Sequence, residues 1–157
     1  MKAEDIKNIA LLGAGMIGHG LALHFAQAGY RVSLYSRTQQ TIDKAMENIK
    51  SNLPLLLQKP AGSDEIEKII GRIKTTTDLA KAVANAPMII ESVAEDLKIK
   101  QDLFKELDQM CPQETILATN TSVISITEIA SKSKNRSRIL GTHFWFPPYL
   151  IPLVEVV

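Results

Sequence analysis

Cysteine is nearly missing from this chain: Cys111 is the sole one, which excludes a disulfide scaffold and a cysteine-built metal cluster. No metal site is expected. Aromatic residues are scarce, at 5%, so stacking on exposed bases is not expected. A dominant charge is missing too. Eighteen Lys and Arg against 17 Asp and Glu leave a formal charge of +1, with no electrostatic footprint for nucleic acid. No apolar run is long enough to span a bilayer, so no membrane partner is expected. The N-terminal stretch carries Glu4 and Asp5 and lacks a small-residue cleavage pattern. No signal peptide is read there, and the expected compartment is reduced and cytoplasmic.

What remains is an ordinary globular composition. The chain has 157 residues, 45% apolar and 22% charged. That suffices for one domain with a core and is too little for two. Short apolar runs at 6–12, 31–35, 73–77, 88–93, 115–118, 138–144 and 153–157 read as strands. Helical spacing fills the gaps between most of them. Residues 16–28 form one helix, stopped by Gly29. Thr41 opens another, with Ile42, Ala45, Met46, Ile49 and Leu53 on one face and Pro54, Pro60 and Gly62 as punctuation. Ser63-Asp64 cap a third, so residues 41–71 read as a helical hairpin inserted after the second strand. Asp78 caps the next helix, residues 98–111 form a longer one, and Ser125-Ile126-Thr127-Glu128 resembles a capping box. Alternating strand and helix predict a doubly wound, mostly parallel α/β sheet. The chain stops inside an apolar strand, so the reading is a truncated domain over 1–157.

The first turn carries chemistry. Gly13-Ala14-Gly15-Met16-Ile17-Gly18 follows a strand and opens a helix. The first glycine permits the tight turn, the second lets backbone approach a pyrophosphate, and the third lets helix pack on strand. The free N–H groups and dipole of the helix start favour the phosphates. The plain alternative is a strand–turn–helix with glycines for packing; the second strand at the right distance favours the dinucleotide. After that strand an Asp or Glu would bind the adenosine ribose hydroxyls of NAD. Here stand Ser36 and Arg37. Ser36 does not repel a 2′-phosphate and Arg37 offers it planar donors, so the cofactor reading is NAD(P), leaning to NADP or dual use.

Asn120-Thr121-Ser122 follows a strand's C-terminal end, where ligands bind in open α/β sheets. His143 lies near the end of the next strand, and Glu155 sits in the last one. A turn at 147–152 could fold Glu155 back beside His143, making the imidazole a stronger base. The blander reading keeps His143 as a satisfied strand-end residue and Glu155 as an edge charge. Spacing alone favours the blander one.

Taken together, Gly13–Gly18, the helical insertion, Glu91-Ser92-Val93-Ala94-Glu95, Lys100, Asn120-Thr121-Ser122, His143-Phe144, Pro147-Pro148 and Leu153-Val154-Glu155 resemble the L-3-hydroxyacyl-CoA dehydrogenase family, specifically its NAD-binding, Rossmann-type domain. The resemblance implies hydride exchange between NAD(P) and C3 of a 3-hydroxyacyl-CoA. It implies His143 as catalytic base, Glu155 as its orienting carboxylate and Ser122 on the substrate oxygen. Glu95, Lys100 and Asn120 match positions near the nicotinamide end of the cofactor, alongside the phosphate-side Gly13, Gly15, Met16, Ile17 and Gly18. Asn52 and Lys59 match positions that hold coenzyme A; Lys59 reads equally well as a solvated loop lysine. The family continues into a helical domain that dimerises, closes over the acyl-CoA and supplies a catalytic asparagine. That domain is absent from this sequence, so a homodimer is expected of the parent protein.

Departures leave alternatives open. The family's His-Phe-Phe-Asn-Pro becomes His143-Phe144-Trp145-Phe146-Pro147, and Phe146 cannot hydrogen-bond. A dehydrogenase of a free hydroxy acid, carnitine-like or a sugar acid, is the second reading. A non-catalytic nucleotide-binding protein is the third.

Overall fold

The computed structural model describes residues 2–57 and 63–157. The strands are β1 (Asn8–Leu12), β2 (Arg31–Tyr35), β3 (Ile73–Thr76), β4 (Met88–Glu91), β5 (Ile116–Thr119), β6 (Ile139–Phe144) and β7 (Val154–Val156). The α-helices are α1 (Met16–Gln27), α2 (Gln39–Leu56), α3 (Ser63–Ile70), α4 (Leu79–Val83), α5 (Leu97–Met110) and α6 (Ile126–Ile129). The sheet order is β3-β2-β1-β4-β5-β6-β7. Every pairing is parallel except β6 with β7. The expected doubly wound architecture is present, with α2 and α3 both lying between β2 and β3. The strand order reverses between β1 and β4, and ligands bind at that reversal in such sheets.

The apolar runs of the central strands are continuous because both faces are covered. Along β1, Ile9 and Leu11 point into a core shared with α1, α2 and α3, while Ala10 and Leu12 point into a second core with α4 and α5. Ile90 and Ala118 join the first core; Ile89 and Leu117 join the second. Phe104 and Leu107 of α5 are fully buried against that second face. Burying an aromatic of this size contributes roughly 3 kcal/mol.

Two boundaries differ from the sequence reading. Helix α2 starts at Gln39, not Thr41, because Thr38 caps it, its side chain accepting from the Thr41 N–H at 3.3 Å. The helix also runs through Pro54 to Leu56. Proline lacks one donor, but here it falls in the last turn, and fully buried Ile49 and Leu53 hold the helix on the core. The connection from α2 to α3, including Lys59, lies outside the described residues.

Helix α1 is buried nearly all round, and its glycines set distances. A Cβ on Gly20 would lie 2.9 Å from Pro148 Cγ, so the absent side chain admits the turn that leads into β7. Tyr149 in that turn accepts a 3.3 Å bond from the Asn52 amide of α2. Phe25 of α1 meets Phe144 edge-on, ring centres 6.0 Å apart. The return to β7 is thereby seated on α1 and α2.

Candidate active site

The three glycines of the β1–α1 turn stand in different surroundings. Gly13 has φ +109, and a Cβ there would sit 2.4 Å from the Ser92 carbonyl oxygen. Only glycine takes that conformation in that space. A Cβ on Gly18 would fall 1.8 Å from the Gly13 carbonyl oxygen. Gly15 is different: a Cβ would meet no protein atom within 4 Å, and its backbone is in the ordinary extended region. Nothing in the chain requires a glycine at that position, so the open space beside it is the kind of cradle a pyrophosphate fills. The orphan N–H groups of the first turn of α1, around Met16 and Ile17, face the same way. A cleft of about 250 Å³ lies beside it, lined by Gly15, Ser36, Arg37, Thr41, Ser92 and Val93. Ser36 is partly buried and Arg37 exposed on its wall. The residues present fit a dinucleotide.

Three strands away, Ser122, His143 and Glu155 form one chain. In the antiparallel ladder His143 stands directly opposite Glu155, which places their side chains on the same face. His143 Nδ1 lies 2.7 Å from Glu155 Oε2, and His143 Nε2 lies 3.0 Å from Ser122 Oγ. The hydrogen bond from His143, then one from the Trp145 indole at 3.3 Å, hold the Glu155 carboxyl below the usual carboxylate range. An ionised Glu155 fixes the imidazole proton on Nδ1, leaving the Nε2 lone pair toward Ser122. These groups line a second cleft of about 520 Å³ with Ser125 and Thr127.

The loop that carries Ser122 is held from beneath by a charge cluster. Glu91, at the end of β4, is fully buried. It accepts from Lys100 Nζ at 2.6 Å, the Val93 N–H at 2.6 Å and the Thr119 hydroxyl at 2.7 Å. Lys100 Nζ reaches on to Glu95 Oε2 at 3.2 Å. Glu95 accepts from the Thr121 hydroxyl, and from the N–H groups of Ser122 at 3.0 Å and Val123 at 3.4 Å. Burial pushes the Glu95 carboxyl up, but the Thr121 bond, then Lys100, outweigh it and the net direction is down.

Lys100 is almost wholly buried, 1% exposed, and spent on two carboxylates, so it supports the crevice from below rather than lining it. Glu95 is partly open and shapes the Ser122 loop. Asn120 ties two strands together: its N–H donates to the Glu91 carbonyl at 2.8 Å, and its Oδ1 accepts from the Phe144 N–H at 2.7 Å. Asn52 binds Tyr149, as described. Sequence reasoning missed Glu91 as a site residue. Its signal was a carboxylate closing the apolar run Met88-Ile89-Ile90, which demands a buried cation.

No helix among the described residues is long and apolar enough to cross a membrane. No group of His, Cys, Asp or Glu among them could hold a metal ion.

Comparison with known proteins identifies the family. The family described as "3-hydroxyacyl-CoA dehydrogenase, NAD binding domain" matches residues 8–157. The 3-hydroxybutyryl-CoA dehydrogenase of Clostridioides difficile is 41% identical over 150 residues, covering 95% of this chain and 53% of that protein. The mitochondrial hydroxyacyl-coenzyme A dehydrogenase of Sus scrofa is 35% identical over 158 residues, covering 97% and 50%. The crystal structure of the Escherichia coli 3-hydroxybutyryl-CoA dehydrogenase superposes with a TM-score of 0.90 at 36% identity, covering 96% of this chain and 32% of that one. The chain spans about half the length of the curated relatives named here. It belongs to the 3-hydroxyacyl-CoA dehydrogenase family, as its NAD-binding domain.

Proposed function

We propose that this chain is the nucleotide-binding part of an enzyme that interconverts a 3-hydroxyacyl-CoA and the corresponding 3-ketoacyl-CoA. The observation that carries the reading is the Ser122–His143–Glu155 chain of hydrogen bonds at the C-terminal edge of the sheet. The turn at Gly13, Gly15 and Gly18, with Met16 and Ile17, would hold the pyrophosphate, and Ser36 and Arg37 would meet the adenosine ribose. A bound nicotinamide cofactor would supply the hydride chemistry at C3. His143 Nε2 takes the proton of the C3 hydroxyl in one direction and gives it back in the other. Glu155 steadies the imidazolium that forms, and Ser122 Oγ holds the reacting oxygen in line. Glu95 and Lys100 fix the Ser122 loop, and Asn120 fixes β6 against β5. Asn52 and Lys59 are the proposed coenzyme A contacts.

The finer cofactor reading is use of NADP, or of both forms. Arg37 is exposed on the ribose cleft with no carboxylate beside it in the chain, and a guanidinium suits a 2′-phosphate. The relatives' greater length supports a second domain beyond residues 1–157, through which the parent protein would form a homodimer. A cytoplasmic location is proposed, in keeping with a lone free cysteine, Cys111,.

Two measurements test this. Calorimetric titration with NADH and NADPH should give comparable affinities or favour NADPH; much tighter NADH binding removes the Arg37 argument. In the intact enzyme, His143→Gln should lower turnover of a 3-hydroxyacyl-CoA by about 10²–10⁴-fold, the usual contribution of a positioned base. An unchanged rate removes His143 from the chemistry. The apolar Phe146, 44% exposed and three residues after His143 in sequence, favours the second reading of a free hydroxy acid substrate. Turnover of such an acid without any protection by coenzyme A would establish it.

A further inference from the structure

Glu155 presents a physical difficulty. Its side chain is 53% exposed and it projects from β7, a strand of three residues. A long exposed carboxylate held by one partner loses much of its interaction to rotamer freedom and solvent. Yet the proposed proton transfer needs it fixed, because its position sets which imidazole nitrogen carries the proton.

The strand pairing supplies a second donor. Trp145 follows His143 by two residues, so in extended chain both project from one face. Its backbone continues the ladder, the Trp145 N–H donating to the Leu153 carbonyl at 3.2 Å. Its indole Nε1–H lies 3.3 Å from Glu155 Oε2, the same oxygen that receives His143 Nδ1. The Trp145 and His143 ring centres are 6.1 Å apart, so the indole also flanks the imidazole. Indole is a donor with no acceptor atom, so it pairs with the Glu155 oxygen and not with the His143 Nδ1–H. The family pattern given above has Phe at this position, which has no N–H to offer.

We propose that Trp145 is a positioning residue for the acid–base pair: its indole N–H anchors the Glu155 oxygen that orients His143. This rests on the functional reading above for its purpose, though not for its geometry. The anchor works by giving the carboxylate two donors on neighbouring rungs, so that rotation of the side chain breaks both bonds. Among the described residues, no charged side chain other than Glu155 and, when protonated, His143 lines the cleft at this pair. The wall facing it, residues 121–127, brings hydroxyl and apolar groups only.

The test uses NMR of this chain, with Trp145→Phe removing the N–H while keeping an aromatic ring at an exposed position. The Glu155 carboxyl carbon should titrate at higher pH in the variant than in the parent chain, because a bond to the charged form has been lost. The share of His143 carrying its proton on Nδ1, read from the ring nitrogen shifts near pH 8, should fall. A merely structural tryptophan would move neither. Unchanged Glu155 titration and an unchanged tautomer overturn the proposal. Glu155→Gln serves as the reference: it should reduce the Nδ1–H tautomer further than Trp145→Phe does, and its failure to do so also overturns the proposal. These readouts require no turnover. An intact enzyme with no dehydrogenase activity would remove the functional reading and still leave the role of Trp145 decided.

Discussion

Gly13, Gly15 and Gly18 look alike in sequence and differ in what they are for. Gly13 and Gly18 are required by the fold, since a methyl at either would strike backbone. Gly15 has room on the protein side. Gly15→Ala should therefore leave the melting temperature nearly unchanged while weakening NADH binding by tenfold or more, about 1.4 kcal/mol. Gly13→Ala should lower stability itself. Equal binding by the Gly15→Ala protein in calorimetry would mean that no ligand backbone comes close there. The glycine turn was legible because its chemistry is local and its spacing short. The His143–Glu155 pair was legible only as one of two readings, because joining it depends on where a distant strand docks. Trp145 could not be read at all without the pairing of β6 and β7. The burial of Lys100 was not legible for a different reason. Lysine is almost never fully buried unless paired, and its partners Glu91 and Glu95 come from a strand end and a loop that the spacing does not bring together.

At the scale of elements, a buried ion pair joins α5 to the turn that leads into β6. Arg138 Nη2 lies 2.9 Å from Asp108 Oδ1, with the side chains 7% and 5% exposed. The guanidinium also donates to the carbonyls of Asp108 and Pro112. Asp108 in turn receives the N–H groups of Lys134 and Asn135 at 2.7 and 3.3 Å. Burial pushes the Asp108 carboxyl up; the Arg138 bond, then the two backbone N–H groups, pull it down further, and the net direction is down. A carboxyl depressed in the folded state stabilises above its unfolded value, near 3.9. That contribution is lost as pH falls through the lower folded value. Asp108→Asn should cost about 3 kcal/mol at pH 7 in urea melts, the scale for breaking a buried pair. The loss relative to the parent protein should shrink on acidification below about pH 4. A constant difference across pH would remove the ion pair as its cause. The strands and most helices were legible because both faces of the sheet are covered and the caps are local. The start of α2 was not, because Thr38 and Thr41 are both good caps and only their mutual hydrogen bonding selects Thr38.

For the molecule as a whole, the glycine turn, the Ser36–Arg37 wall and the acid–base pair lie along one edge of a single sheet. A dinucleotide binding there should stabilise the folded state alone. At a hundredfold excess over Kd, NADH or NADPH should add about 2.7 kcal/mol, seen as a rise of several degrees in the melting temperature. No shift with either form would mean that the edge does not bind the cofactor in this chain.

The reversed strand at the end of the sheet carries a constraint of its own. Side chains alternate along it, so displacing it by a single position would swap Glu155 for a valine opposite His143,. The connecting segment 145–153 therefore acts as a ruler. Its residues can change, as they have at 145 and 146, but one inserted or deleted there should part His143 from Glu155 and abolish the proposed proton transfer with both residues still in the chain.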